Sequence, residues 1–142
     1  MRVMTVRLLA LCFAVSLMAA GLAQAQDHGV MVREKAGVGK YLTDGKGMTL
    51  YTFAKDTPGK SACTGACLQK WPALAPSTAK PQAGLDAKEF GTLKRDDGTE
   101  QVTYAGYPLY YFANDKAPGD TTGQGVNDVW HVVDPAKFPP KN

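Results

Sequence analysis

Apolar residues along this chain recur in short alternating runs, each a few residues long and each ended by glycine, proline, aspartate or asparagine. A period of two between turn residues is the pattern of strands. Val30–Arg33, Lys40–Thr43 and Met48–Phe53 make a first set, with Asp44-Gly45 as a tight turn between the last two. Glu89–Lys94, Gln101–Tyr104 and Leu109–Phe112 make a second, with turns at Asp97-Gly98 and Gly106-Tyr107-Pro108. Val129–Val133 closes the second set around Trp130, and Trp71–Leu74 holds the matching place in the first. Fifteen glycines and nine prolines leave no room for long helices. Short helical turns are predicted over Thr64–Lys70 and over Asp86–Phe90, where a helix competes with a strand.

The two sets are copies. A shift of 59 residues brings Gly47 onto Gly106, Tyr51 onto Tyr110, Phe53 onto Phe112, Asp56 onto Asp115 and Trp71 onto Trp130. The chain has two tryptophans, and the shift superposes them. The predicted fold is mainly β: two tandem β-repeat units of three to four short strands, about residues 30–76 and 89–135. A Pro-, Ser- and Ala-rich linker, residues 76–84, joins them. An isolated hairpin is marginal, so the units are expected to pack as one small domain. Tyr51 and Phe53 alternate with Leu50, and Tyr110 and Phe112 with Leu109, which predicts a core on one face. The same shift sets Cys63 against Thr122 and Cys67 against Val126, so the second copy builds its framework without sulfur.

The start of the chain has a different character. Arg2 and Arg7 precede an uncharged apolar run, Leu8 to Met18, and a small-x-small site at Ala23-Gln24-Ala25. This is the layout of a cleaved secretory signal peptide, residues 1–25, and the run is too short to span a bilayer. Cys12 lies inside that run and is misplaced for lipid attachment. Residues 26–142 are expected to be a periplasmic or secreted bacterial domain without a transmembrane segment. Loss of the two leader arginines takes the formal charge from +3 to +1, so no electrostatic case for nucleic acid or an anionic membrane exists.

Export also alters the cysteine count. Cys63 and Cys67 remain, an even number in an oxidising compartment, and a disulfide closing a small loop is expected. Their spacing differs from haem-attachment and thioredoxin-type motifs, and a structural zinc site needs more ligands than these residues offer. A reactive dithiol is the rival state. His131 reads as a structural or exposed strand residue, and Met31 and Met48 as apolar strand positions. His28 would be third from the new N-terminus. There the free amine, two backbone amides and the imidazole can present a square-planar nitrogen set to copper or nickel, unless Gln26 cyclises.

Tyr51, Phe53 and Asp56, like Tyr110, Phe112 and Asp115, fit Tyr-x-aromatic-x-x-Asp. Together with YLTDGKGMTLY, the segment from CTGAC to WP, and YAGYPLYYFANDKAPGDTTGQG, they resemble a family of bacterial secreted or lipid-anchored repeat proteins. The family is described as predicted lipoproteins with this repeated motif. The resemblance implies an exported, repeat-built protein and brings no established activity. Physically, the motif reads as strand, cap and turn: aromatics fill a core layer and the aspartate accepts N–H groups of the next loop. The rival reading makes Asp56 and Asp115 paired acids or cation ligands. Catalytic fingerprints are absent from the sequence. The expected function is a non-enzymatic binding or interaction module of the cell envelope with an unidentified partner. The alternative is a redox or copper accessory protein using Cys63 and Cys67 or His28.

Overall fold

The computed structural model describes residues 29–139 except residue 79. Strands dominate it. β1 (Val30–Lys35) and β2 (Gly39–Asp44) form an antiparallel hairpin running from the pair Val30–Asp44 to the pair Lys35–Gly39. Asp44 then organises the predicted turn: its Oδ1 accepts the N–H groups of Lys46 and Met48, both at 2.9 Å. Past the turn, the predicted strand Met48–Phe53 divides. Leu50 donates back to Leu42 at 2.9 Å, while β3 (Tyr51–Phe53) leaves for a different partner. α1 (Ala66–Lys70) occupies the predicted helical stretch. β4 (Phe90–Lys94), β5 (Glu100–Tyr104) and the two-residue β6 (Tyr107–Pro108) make a three-stranded sheet, and β7 (Trp130–Val132) ends the second copy. The competition at Asp86–Phe90 resolves by position. Asp86 caps a 3-10 turn at Ala87–Glu89 through Lys88 N–H, and β4 begins at Phe90.

Each copy gives its closing segment to the other. β7 pairs with β3 of the first copy, Phe53 opposite Trp130 and Tyr51 opposite Val132. Leu42 donates to Val133 at 2.9 Å and Ala54 to Val129 at 2.7 Å. Reciprocally, the Trp71–Leu74 segment lies on the second copy: Val102 donates to Leu74 at 2.9 Å and Ala113 to Lys70 at 2.8 Å. Tyr51 and Tyr110 exchange both backbone hydrogen bonds, at 2.8 and 3.0 Å, and mark a pseudo-two-fold axis. The predicted strand Leu109–Phe112 follows this crossing without becoming regular. It runs beside Pro72, which has no N–H to give and interrupts the ladder where the other copy has His131.

A further expectation changes. The core is not one-sided: Leu50 and Tyr51, on opposite faces, are both fully buried. Leu42, Leu50, Leu74, Val102, Leu109 and Val133 fill an aliphatic cluster, and Tyr51, Tyr110, Trp71 and Trp130 an aromatic one. Part of the linker is tied to the first copy. Val30 donates to Lys80 at 2.9 Å and accepts from Gln82 at 2.7 Å, so this part of the linker pairs in parallel with β1.

The copies also match in two registers. The motif and the tryptophans follow the 59-residue shift, but hairpins and loops follow one of 60. Lys35 pairs with Gly39 as Arg95 does with Thr99, and Gly59 donates to Gly106 as Gly119 does to Gly47. Asp115-Lys116-Ala117-Pro118 carries one residue more than Asp56-Thr57-Pro58. Cys63 therefore corresponds in space to Gly123, not to Thr122.

Candidate functional site

The repeated motif assembles at the pseudo-two-fold axis. Tyr51 Oη donates to Asp115 Oδ2 at 2.6 Å, and Tyr110 Oη donates to Asp56 Oδ2 at 2.7 Å. Each tyrosine thus caps the aspartate of the other copy. The second carboxylate oxygen does what the sequence predicts. Asp56 Oδ1 accepts Ala62 N–H at 2.6 Å and Asp115 Oδ1 accepts Thr122 N–H at 3.0 Å, fixing the two loops. Ser61 Oγ lies 2.6 Å from Tyr110 Oη. Since the single phenolic proton goes to Asp56, Ser61 donates to Tyr110.

Four rings stack through the centre. Trp71 and Trp130 lie 3.8 Å apart at 3°, Phe112 covers the outer face of Trp71 at 4.1 Å, and Phe53 covers Trp130 at 4.3 Å. Tyr51 and Tyr110 meet this stack edge-on, Tyr51 against Trp71 and Tyr110 against Trp130. Here, too, each motif phenylalanine stacks on the tryptophan of the other copy. Both tryptophans are buried and belong to the core.

This environment sets the protonation chemistry. Burial, and after it the Asp115 carboxylate, pushes the Tyr51 hydroxyl far above the ordinary tyrosine range. Tyr110 is raised chiefly by burial too, with Ser61 opposing and Asp56 adding to the shift. The Asp56 carboxyl is raised by burial against the opposing pull of Ala62 N–H, Tyr110 and the Arg95 charge. Neutral buried phenols hydrogen-bonded to carboxylates already engaged on both oxygens are positioned to hold the fold. They offer no exposed nucleophile or base.

The remaining sequence candidates lie apart from this cluster or at its edge. Cys63 and Cys67 form a disulfide, with Cα atoms 5.4 Å apart, and Cys63 is buried in the aromatic cluster. His131 is exposed on β7, opposite Thr52. His28 and the leader residues lie outside the described residues. Among the described residues, no group of three or more histidines, cysteines and acids could hold a metal ion.

Two surface features were not singled out from the sequence. A groove of about 530 Å³ runs over β3 and β7, lined by Phe53, Val132, His131, Tyr107 and Phe138, with Lys40, Asp134 and Lys137 bringing charge to it. A smaller cleft, about 300 Å³, lies between the Gly59–Thr64 loop and the Leu93–Asp96 end of β4. Behind it the buried Arg95 donates to Gln101 Oε1 and to the Cys63 carbonyl. Gln101 shares β5 with buried Val102 and Thr103, and a strand buried on both faces has no alternation to betray a polar member.

The profile of a known family, Lipoprotein_15, matches residues 33–75 and 91–134. The chain belongs to this family, a secreted repeat of unknown function. No curated protein and no solved structure matches the chain. The two matched stretches are the two copies described above, each ending just past the strand that it gives away. Among the described residues, no helix is long and apolar enough to cross a membrane.

Proposed function

We propose that this protein is an exported, non-enzymatic binding module of the cell envelope, cleaved after Ala25, which holds a segment of a partner protein in the groove over β3 and β7. The secreted character of the family supports export. One observation carries the rest. The acid and hydroxyl groups of the repeated motif are spent on one another and on loop N–H groups, while the open groove, whose wall reaches Asp56, presents side chains suited to contact. Its lining mixes aromatic and aliphatic surface with both signs of charge, the composition that receives a peptide segment with alternating apolar and polar side chains. Lys40, Lys137 and Asp134 would set the orientation of that segment.

The test uses the chain as the cell exports it. A photo-crosslinking phenylalanine analogue replaces exposed His131 in the groove, or exposed Lys116 away from it. A discrete protein adduct from position 131 and none from position 116 is the expected result. Equal adducts from both positions, or none from position 131, count against the groove.

A further inference from the structure

The loop of each copy packs against the first hairpin of the other copy, so the molecule has two pseudo-symmetric clefts. Two positions differ in sign of charge between them, while Leu93 and Asp96 stand where the other cleft has Arg33 and Ala36. In the 60-residue register Arg95 corresponds to Lys35, Lys94 to Glu34, Lys60 to Asp120 and Ser61 to Thr121. Around Lys35 the charges compensate. Lys35 Nζ donates to Gly119 O at 3.0 Å and Thr121 Oγ1 at 3.3 Å, with Glu34 beside it in β1 and Asp120 in the facing loop. Around Arg95 both of those acids have become lysines.

Arg95 is 8% exposed. Its two hydrogen-bond acceptors, the Gln101 amide oxygen and the Cys63 carbonyl, are neutral, and its Nε has none among the described residues. Neither Arg95, Lys60 nor Lys94 forms an ion pair among the described residues. Asp96 is the one acid on the cleft wall, against these three cations. Asp56 behind it and Asp97 beyond it act on Arg95 as opposite charges, so the positive charge left to the cleft is that of Lys60 and Lys94. The loop is also rigid, since Thr57 and Lys60 exchange backbone hydrogen bonds and the disulfide closes Cys63–Cys67.

We propose that this cleft is a binding site for a phosphate-bearing ligand. Lys60 and Lys94 meet the phosphate oxygens as point charges, and Thr64 offers a hydroxyl donor. A phosphate monoester carries close to two negative charges at neutral pH, which suits this excess better than a single carboxylate. A cleft of about 300 Å³ admits the phosphate and a small part of its carrier. The site shares no lining residue with the groove over β3 and β7, so the two stand or fall separately.

Amide NMR on the disulfide-bonded chain from residue 26, titrated with inorganic phosphate at constant ionic strength, reads the site directly. Saturable shifts are expected at Lys60, Ser61, Thr64 and Lys94, and none at Glu34, Asp120 and Thr121. Lys60→Gln with Lys94→Gln should weaken binding about tenfold, the loss of two partly exposed charge contacts. Lys60→Arg with Lys94→Arg should retain it, and unchanged indole signals of Trp71 and Trp130 certify the fold of each variant. Co-sedimentation with phosphatidylglycerol or phosphatidylcholine vesicles separates the sources. Retention on the former alone, lost in the glutamine variant, identifies a lipid headgroup; phosphate binding without retention identifies a soluble ligand. The proposal is overturned by the absence of both responses, by equal shifts in the two clefts, or by undiminished binding in the glutamine variant.

Discussion

Tyr51 of the first copy and Asp115 of the second are joined by a 2.6 Å hydrogen bond inside the aromatic core, and Tyr110 and Asp56 repeat it in the opposite direction. Removing one hydroxyl strands a buried carboxylate oxygen. Tyr51→Phe and Tyr110→Phe should each cost about 1–3 kcal/mol in urea unfolding. Tyr51→Phe also takes the acceptor from Gly123 N–H, and Tyr110→Phe takes it from Ser61. If either variant matches the parent in unfolding midpoint, the bond is not part of what holds the copies together.

The raised Asp56 carboxyl gives stability a particular pH dependence. A carboxyl whose folded pKa lies above its unfolded value binds more protons in the folded state between the two values. Its contribution is therefore greatest below the usual carboxylate range and declines as pH rises through the folded pKa. Asp97 and Asp120, held low by hydrogen bonds from neighbouring groups, have the opposite sign. The informative quantity is the difference in melting temperature between the parent and Asp56→Asn across pH 3–7. The parent should lose ground against the variant as pH rises, and a constant difference would contradict the assignment.

Gly123 faces the flat side of this core, and a Cβ there would stand 2.8 Å from Tyr51 and 2.9 Å from Trp71. Neither ring has room to yield within the stack. Gly123→Ala should destabilise by about 1–3 kcal/mol through overpacking, read from the midpoint of chemical unfolding. Gly125→Ala makes a useful contrast. Nothing lies within 4 Å of its Cβ position, so its cost comes from a φ of +80° alone.

The cysteines close a five-residue loop, for which chain entropy suggests about 2 kcal/mol. Cys63→Ser with Cys67→Ser should lower stability by about that amount and leave the fold intact, because the second copy holds Gly123 where the first holds Cys63. Guanidinium unfolding with amide NMR of the native state checks both halves of the statement. Complete unfolding of the variant would show the bridge to be indispensable.

Most strands, both repeats, the small helix and the aspartate-capped loops were legible in the sequence because each depends on neighbours along the chain, whereas Tyr107–Pro108, read as part of a turn, pairs as β6, and Leu109–Phe112, read as a strand, forms no regular one. Alternation locates β1 and β2, and turn chemistry locates the Asp44 and Asp97 corners. What could not be read depends on pairing between distant residues. Tyr51, Phe53 and Asp56 sit within one six-residue stretch, yet their partners are Asp115, Trp130 and Tyr110. A conserved spacing is the same whether a motif bonds within its own copy or across to the other. A single 59-residue shift likewise concealed the 60-residue register, since the first copy has one residue more before Gly47 than the second before Gly106, and one residue gained after Asp115 is given back before Trp130. Only that second register sets Lys60 against Asp120 and Lys94 against Glu34.

The exchange of Trp71–Leu74 for Trp130–Val133 bears on how such a chain came to exist. A polypeptide holding one copy has no strand of its own to lay beside its Tyr-x-aromatic segment, and its tyrosine has no aspartate to meet. Two such polypeptides supply each other with both, related by a true two-fold axis through the tyrosine pair. The present chain has the arrangement of such a dimer within one polypeptide. The two halves are not identical, for the first loop carries a disulfide, and Lys60 and Lys94 stand where Asp120 and Glu34 stand around the second.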